Sequence, residues 1–118
     1  MSLHGHWHPI RAELDGQIAP ELALERMEFH LTSTDYAVHF GGELYDRGTF
    51  IYTETTLTLT AQHGPNAGRV IAAIYQIAGD RLRICYGLDG TAPSEFKTGP
   101  DSRRYLVTYK RKPAHPAA

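Results

Sequence analysis

Three histidines stand at alternate positions near the start of this chain, His4, His6 and His8. In an extended strand every second side chain shares a face, so the three imidazoles project to one side, and neighbouring pairs at that spacing can ligate zinc. Together they span roughly 13 Å at ~3.3 Å per residue, too far to meet one ion at ~2.1 Å without bending the strand. No Cys-x-x-Cys or His-Glu-x-x-His pattern accompanies them. Exposed histidines are the simpler expectation, with no metal and no cofactor, and these three remain the residues singled out should a metal bind.

The opposite face of the same segment carries Trp7, Pro9, Arg11 and Glu13. If Trp7 points into a core, strict alternation takes Arg11 and Glu13 with it. Unpaired buried charges are costly, so two opposite charges there imply a mutual pair or contact with a polar ligand. A buried Glu13 whose carboxyl is pushed up by desolvation could also act as a general acid or base, which is the enzymatic alternative. Tyr36, Tyr45, Tyr52, Tyr75, Tyr86, Tyr105 and Tyr109 offer apolar bodies with hydrogen-bonding tips. Tyr75 and Tyr86 are favoured as pocket residues, with Phe29, Tyr52 and Phe96 as apolar wall. Core packing is the competing reading for all of them. Cys85 reads as a buried structural thiol, since no neighbour that would stabilise a thiolate is fixed by sequence. No Gly-x-Ser-x-Gly or P-loop occurs, and Gly41-Gly42 and Gly87-x-x-Gly90 read as turns.

The elements that must position these groups are short strands. Turn residues separate alternating runs at intervals of roughly 8 to 12 residues, the rhythm of a barrel or sandwich. Eight runs qualify, residues 5–14, 26–31, 36–40, 45–52, 55–61, 69–78, 81–87 and 104–111. Met27, Phe29 and Leu31 interleave with Arg26, Glu28 and His30, which makes a half-buried strand. In Thr55-Thr56-Leu57-Thr58-Leu59-Thr60 the β-branched threonines favour extended backbone while both leucines face one side. Gly79-Asp80 between two such runs is a two-residue hairpin signal. Pro20-Glu21-Leu22-Ala23-Leu24-Glu25 predicts a helical turn or two after the first strand. Residues 63–68 and 87–102 read as loops, the second long enough to suggest a role in function, and the segment from Pro113 reads as a frayed tail after a domain spanning 1–112. Up-and-down closure removes exposed strand edges, which favours a barrel over an open sheet and, less decisively, over a sandwich.

The chain has 118 residues with 12 basic and 13 acidic side chains, a net charge of −1, and 42% hydrophobic content. These values fit one globular domain with one core and supply no field that would draw it to nucleic acid or an anionic membrane. No run approaches the roughly 18 to 20 apolar residues of a membrane helix. A single cysteine argues against a disulfide-stapled scaffold, and the start lacks a signal peptide's basic and apolar regions. Both point to a cytoplasmic location, although Met1-Ser2-Leu3 could also replace a natural leader.

Gly5-His6-Trp7 at the head of the first strand resembles the Gly-x-Trp signature of lipocalins, and Arg111, or as the second choice Lys110, stands where those proteins place a basic residue against that tryptophan. More broadly, the chain resembles a planctomycete-expanded lipocalin-like domain family of unknown function, through Gly5-x-Trp7, Glu13 with Asp15-Gly16, the Thr-Leu-Thr-Leu-Thr strand, Tyr75, Gly79-Asp80-x-Leu82, Ile84-Cys85-Tyr86, Pro93-Ser94-Glu95-Phe96 and Lys110-Arg111. Ala92 departs from that family, which often has arginine there, and His6 and His8 replace commoner residues. The resemblance implies an all-β, antiparallel up-and-down barrel of about eight strands, with Trp7 and Arg111 as a structural plug at one end. A cation over an indole face contributes on the order of 0.5 to 2 kcal/mol. The leading expectation is non-catalytic binding of a small, partly apolar molecule by Trp7, Arg11, Glu13, Phe29, Tyr52, Tyr75, Tyr86 and Phe96. A filled barrel serving as a structural or protein-interaction module, including a homodimer, is the alternative.

Overall fold

The computed structural model describes residues 3–112; the tail expected from Pro113 onward lies outside the described residues. The chain runs β1 (Gly5–Leu14), β2 (Gln17–Ile18), α1 (Glu21–Glu25), β3 (Met27–Leu31), β4 (Asp35–Phe40), β5 (Glu43–Tyr52), β6 (Thr56–His63), β7 (Val70–Ala78), β8 (Arg81–Gly87) and β9 (Arg104–Arg111). Each of β3 to β9 pairs antiparallel with its sequence neighbour, β1 pairs with β3, and β9 returns to pair with β1. The result is a closed, eight-stranded, up-and-down barrel with β2 as a short extra strand on β1. Closure leaves the eight main strands no free edge, which is the physical reason a run of half-buried strands settles here.

Turn chemistry fixes the register. Ala78 pairs with Arg81 across Gly79-Asp80, and only Gly79, at φ 60°, has a positive φ, the arrangement of a II′ hairpin. α1 begins after Pro20, whose extended backbone forms its cap, and it packs Leu24 into the core. β2 follows the turn Asp15-Gly16, where both residues have positive φ. That pair is itself a two-residue hairpin signal, and it explains a strand that alternation over two residues could not reveal.

One end of the barrel is packed shut. Trp7 has no exposed surface and its indole N–H donates to the carbonyl of Leu3 at 2.9 Å. The Arg111 guanidinium lies over the indole with 4.2 Å to the ring centroid and donates to the His4 carbonyl at 2.6 Å. Gly5 makes this approach feasible, since a Cβ there would lie 2.7 Å from Arg111 Nη1. Leu31, Phe50, Leu57, Tyr75 and Leu82 are buried in the same core.

β1 does not alternate strictly. Its pairing with β9 shifts between Pro9 and Arg11, a bulge that changes which residues face inward beyond it. Trp7, Pro9 and Ala12 are buried, while Ile10 and Arg11 are exposed. Arg11 and Glu13 therefore do not follow Trp7 inward. Pro9 supplies no N–H to a ladder, and proline within a sheet is confined to edges, strand starts and bulges.

The long 88–103 connection folds back along the outer wall. Thr98 Oγ donates to Glu13 Oε1 at 2.5 Å and accepts from the Gly16 N–H at 3.0 Å. Asp15 Oδ1 accepts from the Arg103 N–H at 2.7 Å. Beneath this loop Cys85 is fully buried although it points away from the lumen, with its thiol directed at the Lys97 carbonyl, and burial pushes that thiol up from its ordinary pKa. Among the described residues no helix is long and apolar enough to cross a membrane.

Candidate functional site

Behind the closed end the lumen is not filled. A cavity of about 130 Å³ is lined by Pro9, Met27, Glu28, Phe29, Tyr36, Val38, Asp46, Leu59, Asn66, Ile71, Tyr86, Leu88, Tyr105 and Tyr109. Met27, Ile71 and Tyr105 stand at or next to the first residues of β3, β7 and β9, so the cavity lies toward the barrel end opposite Trp7. Inward alternation builds its walls: Val38 on β4, Asp46 on β5, Leu59 on β6, Tyr86 on β8, and Tyr105 with Tyr109 on β9.

Aromatic rings form one side. Phe29 stacks on Tyr109 with centroids 5.2 Å apart and tilts against Tyr36 at 6.3 Å, while Tyr86 stacks on Tyr105 at 5.6 Å. The polar groups converge within this wall. The hydroxyls of Tyr86 and Tyr109 lie 2.8 Å apart. Whichever donates, the other keeps its own proton for a further acceptor. Asp46 is buried; Tyr36 O–H donates to its Oδ1 and Asn66 Nδ2 to its Oδ2, each at 3.3 Å. Both contacts are long, and a carboxylate has about four lone-pair sites, so Asp46 keeps acceptor capacity inside the barrel.

Burial holds the Tyr36, Tyr86 and Tyr109 phenols well above their ordinary pKa, with the Asp46 charge adding to the effect at Tyr36. All three remain protonated donors at neutral pH. The arrangement is an apolar chamber with a hydroxyl pair and a carboxylate, suited to holding a small molecule by shape and a few directed hydrogen bonds.

The residues singled out by sequence divide into three groups. Phe29 and Tyr86 line the cavity. Trp7 and Tyr75 are buried outside it, with Tyr75 O–H donating to the Thr53 carbonyl at 2.5 Å. Arg11, Glu13, Tyr52 and Phe96 are outside the lumen. Arg11 and Glu13 approach only to 3.9 Å, with the Arg11 side chain 60% exposed; Glu13 serves the 88–103 loop instead of a dry lumen, so the acid–base role considered for it has no setting. Tyr52 has inward parity with Phe50 but stands at the last residue of β5, half exposed. Phe96 belongs to the outer loop and lies under the Arg83 guanidinium, 4.1 Å from the ring centroid.

The row of His4, His6 and His8 does not close on a common point among the described residues. His4 and His6 are exposed, while His8 is half-buried with Nδ1 at 3.2 Å from the Met27 carbonyl. Asp46, Asn66 and Leu88 were not singled out by sequence. Inward parity of Asp46 with Phe50 was the available signal for the carboxylate, whereas Asn66 and Leu88 lie in loops that no periodicity governs. No protein-family model, curated protein or solved structure matches this chain.

Proposed function

We propose that this chain is a lipocalin-like, non-catalytic binding domain that holds one small, partly apolar molecule in the barrel cavity. The observation that carries the proposal is the cavity itself, an apolar chamber of about 130 Å³ into which Asp46 and the Tyr86–Tyr109 hydroxyl pair converge. An apolar cavity of about 150 Å³ accommodates benzene, so the size fits a single six-membered ring. Asp46 calls for an N–H or O–H on that ring, and the hydroxyl pair can serve an acceptor. Asp46 thus takes the anchoring role that alternation assigned to Arg11 or Glu13. The lone, buried Cys85 supports a reducing, cytoplasmic setting.

Calorimetric titration with benzene, phenol and benzylamine tests this reading. Phenol and benzylamine should bind with one site per chain and more tightly than benzene. Val38→Phe, which fills the cavity from β4, should abolish binding while keeping the fold. Equal affinity in wild type and Val38→Phe contradicts the proposal.

A second reading is favoured by the exposed apolar side chains on β2, on α1 and at the barrel-strand ends away from Trp7. Leu14, Ile18, Leu22, Phe40, Leu44, Tyr45 and Val70 are all at least 42% exposed. A homodimer formed through this rim would cover them, and sedimentation equilibrium of wild type against Leu22→Glu distinguishes it from a monomer with an open mouth.

A further inference from the structure

A second cluster lies on the outer wall, and of its three residues only Glu28 also borders the cavity. His6 on β1 and His30 on β3 are direct cross-strand partners, and their imidazoles stack face to face with centroids 3.9 Å apart and planes 9° apart. Glu28, two residues before His30, shares its outward face; its Oε1 lies 3.0 Å from His30 Nε2. One ligand atom from each of His6, Glu28 and His30 falls within 4.8 Å of the other two.

We propose that His6, Glu28 and His30 form a site for a divalent transition-metal ion of the zinc class, held across the β1–β3 ladder by two imidazoles and one carboxylate. Tetrahedral zinc takes nitrogen and oxygen ligands at ~2.0 to 2.2 Å, which places ligand atoms roughly 3.4 Å apart. The His30–Glu28 separation, a hydrogen bond of 3.0 Å, lies just inside that spacing. His6 starts within 4.8 Å of the other two ligand atoms and has to turn out of its stack on His30, so that the in-plane nitrogen lone pairs of the two rings converge on the ion.

The surroundings fit a ligand set better than a self-contained hydrogen-bond group. Lys112 Nζ holds Glu28 Oε2 at 3.1 Å, which turns Oε1 toward His30 and acts as the outer partner that orients a ligating carboxylate. His39, the cross-strand partner of Glu28, lies with its ring 4.6 Å from that of His30. Its Nδ1 is buried without a hydrogen-bond partner, so an imidazole nitrogen beside the cluster is left unsatisfied. Three protein ligands leave a fourth position for water, and imidazole with carboxylate suits zinc, nickel or copper over calcium or magnesium. The row of His4, His6 and His8 contributes only His6; its true companions come from the neighbouring strand.

Zinc titrated alone into the full chain by calorimetry tests the proposal, with His6→Asn, His30→Asn and Glu28→Gln as variants and His4→Asn and His8→Asn as controls. One zinc per chain is expected, weakened at least about tenfold in each of the three variants and unchanged in the controls. Zinc-induced shifts of the His6 and His30 ring resonances in the wild-type protein give a readout that does not depend on any variant folding. Absence of binding at about 100 µM zinc, or affinity unchanged in both His6→Asn and His30→Asn, overturns the site.

Discussion

Removing the hydroxyl of Tyr86 is the perturbation whose outcome the cavity most sharply determines. The Tyr86 and Tyr109 hydroxyls are 2.8 Å apart inside an apolar wall, and both residues are buried. Tyr86→Phe deletes one partner and leaves the buried Tyr109 hydroxyl without its partner at 2.8 Å. A buried polar group orphaned in this way costs about 1 to 3 kcal/mol, whereas replacing both partners by apolar groups of the same shape is nearly neutral. Tyr86→Phe and Tyr109→Phe should therefore each destabilise by about 1 to 3 kcal/mol. The double variant should cost less than either single change. For a domain of 118 residues, a loss of 1 kcal/mol lowers the melting temperature by about 4 °C. Urea and thermal unfolding of the four proteins complete the cycle. Additive single effects, with the double variant the least stable of the four, would refute the account of two buried hydroxyls that rely on each other.

Other consequences can be measured directly. Gly48→Ala should destabilise by at least about 2 kcal/mol or prevent folding, since a Cβ there would lie 2.0 Å from the Thr60 carbonyl oxygen and 2.9 Å from a Tyr36 ring carbon; urea unfolding checks it. Thr98→Val removes the donor to Glu13 and the acceptor for Gly16, costs about 1 to 2 kcal/mol, and should speed labelling of Cys85 by a thiol reagent. The phenols of Tyr36, Tyr86 and Tyr109 are raised above their ordinary pKa of 10.0 in the fold. Unfolding releases them to ionise at that ordinary value, so stability is intact below about pH 10 and falls as pH rises above it. Phenolate absorbance should show these three ionising only as the barrel unfolds.

The architecture was legible because barrel strands obey simple rules. β1, β8 and β9 begin and end where alternation places them, and closure follows from the need of half-buried strands to lose their edges. The site was harder to read because one bulge defeats a parity argument. Strict alternation sends Arg11 and Glu13 inward with Trp7, and the register shift after Pro9 sends them out. Proline inside a strand was the warning. Glu13 and Asp15 instead bind the loop that carries Thr98 and Arg103. Tyr75 and Tyr86 both face inward, but only Tyr86 reaches the cavity, because depth along the barrel depends on strand stagger that period-two counting does not contain. His30 and Glu28 join His6 through cross-strand register, which no spacing along the chain encodes.

The most direct test of the central claim is a set of intermolecular NMR contacts between bound benzylamine and the protein. The account predicts cross-peaks from the ligand ring to Phe29, Tyr86 and Tyr109, with the amine nearest Asp46. Cross-peaks only to residues outside the cavity such as Tyr52 or Phe96, or a lumen that admits no ring at millimolar ligand, would contradict it.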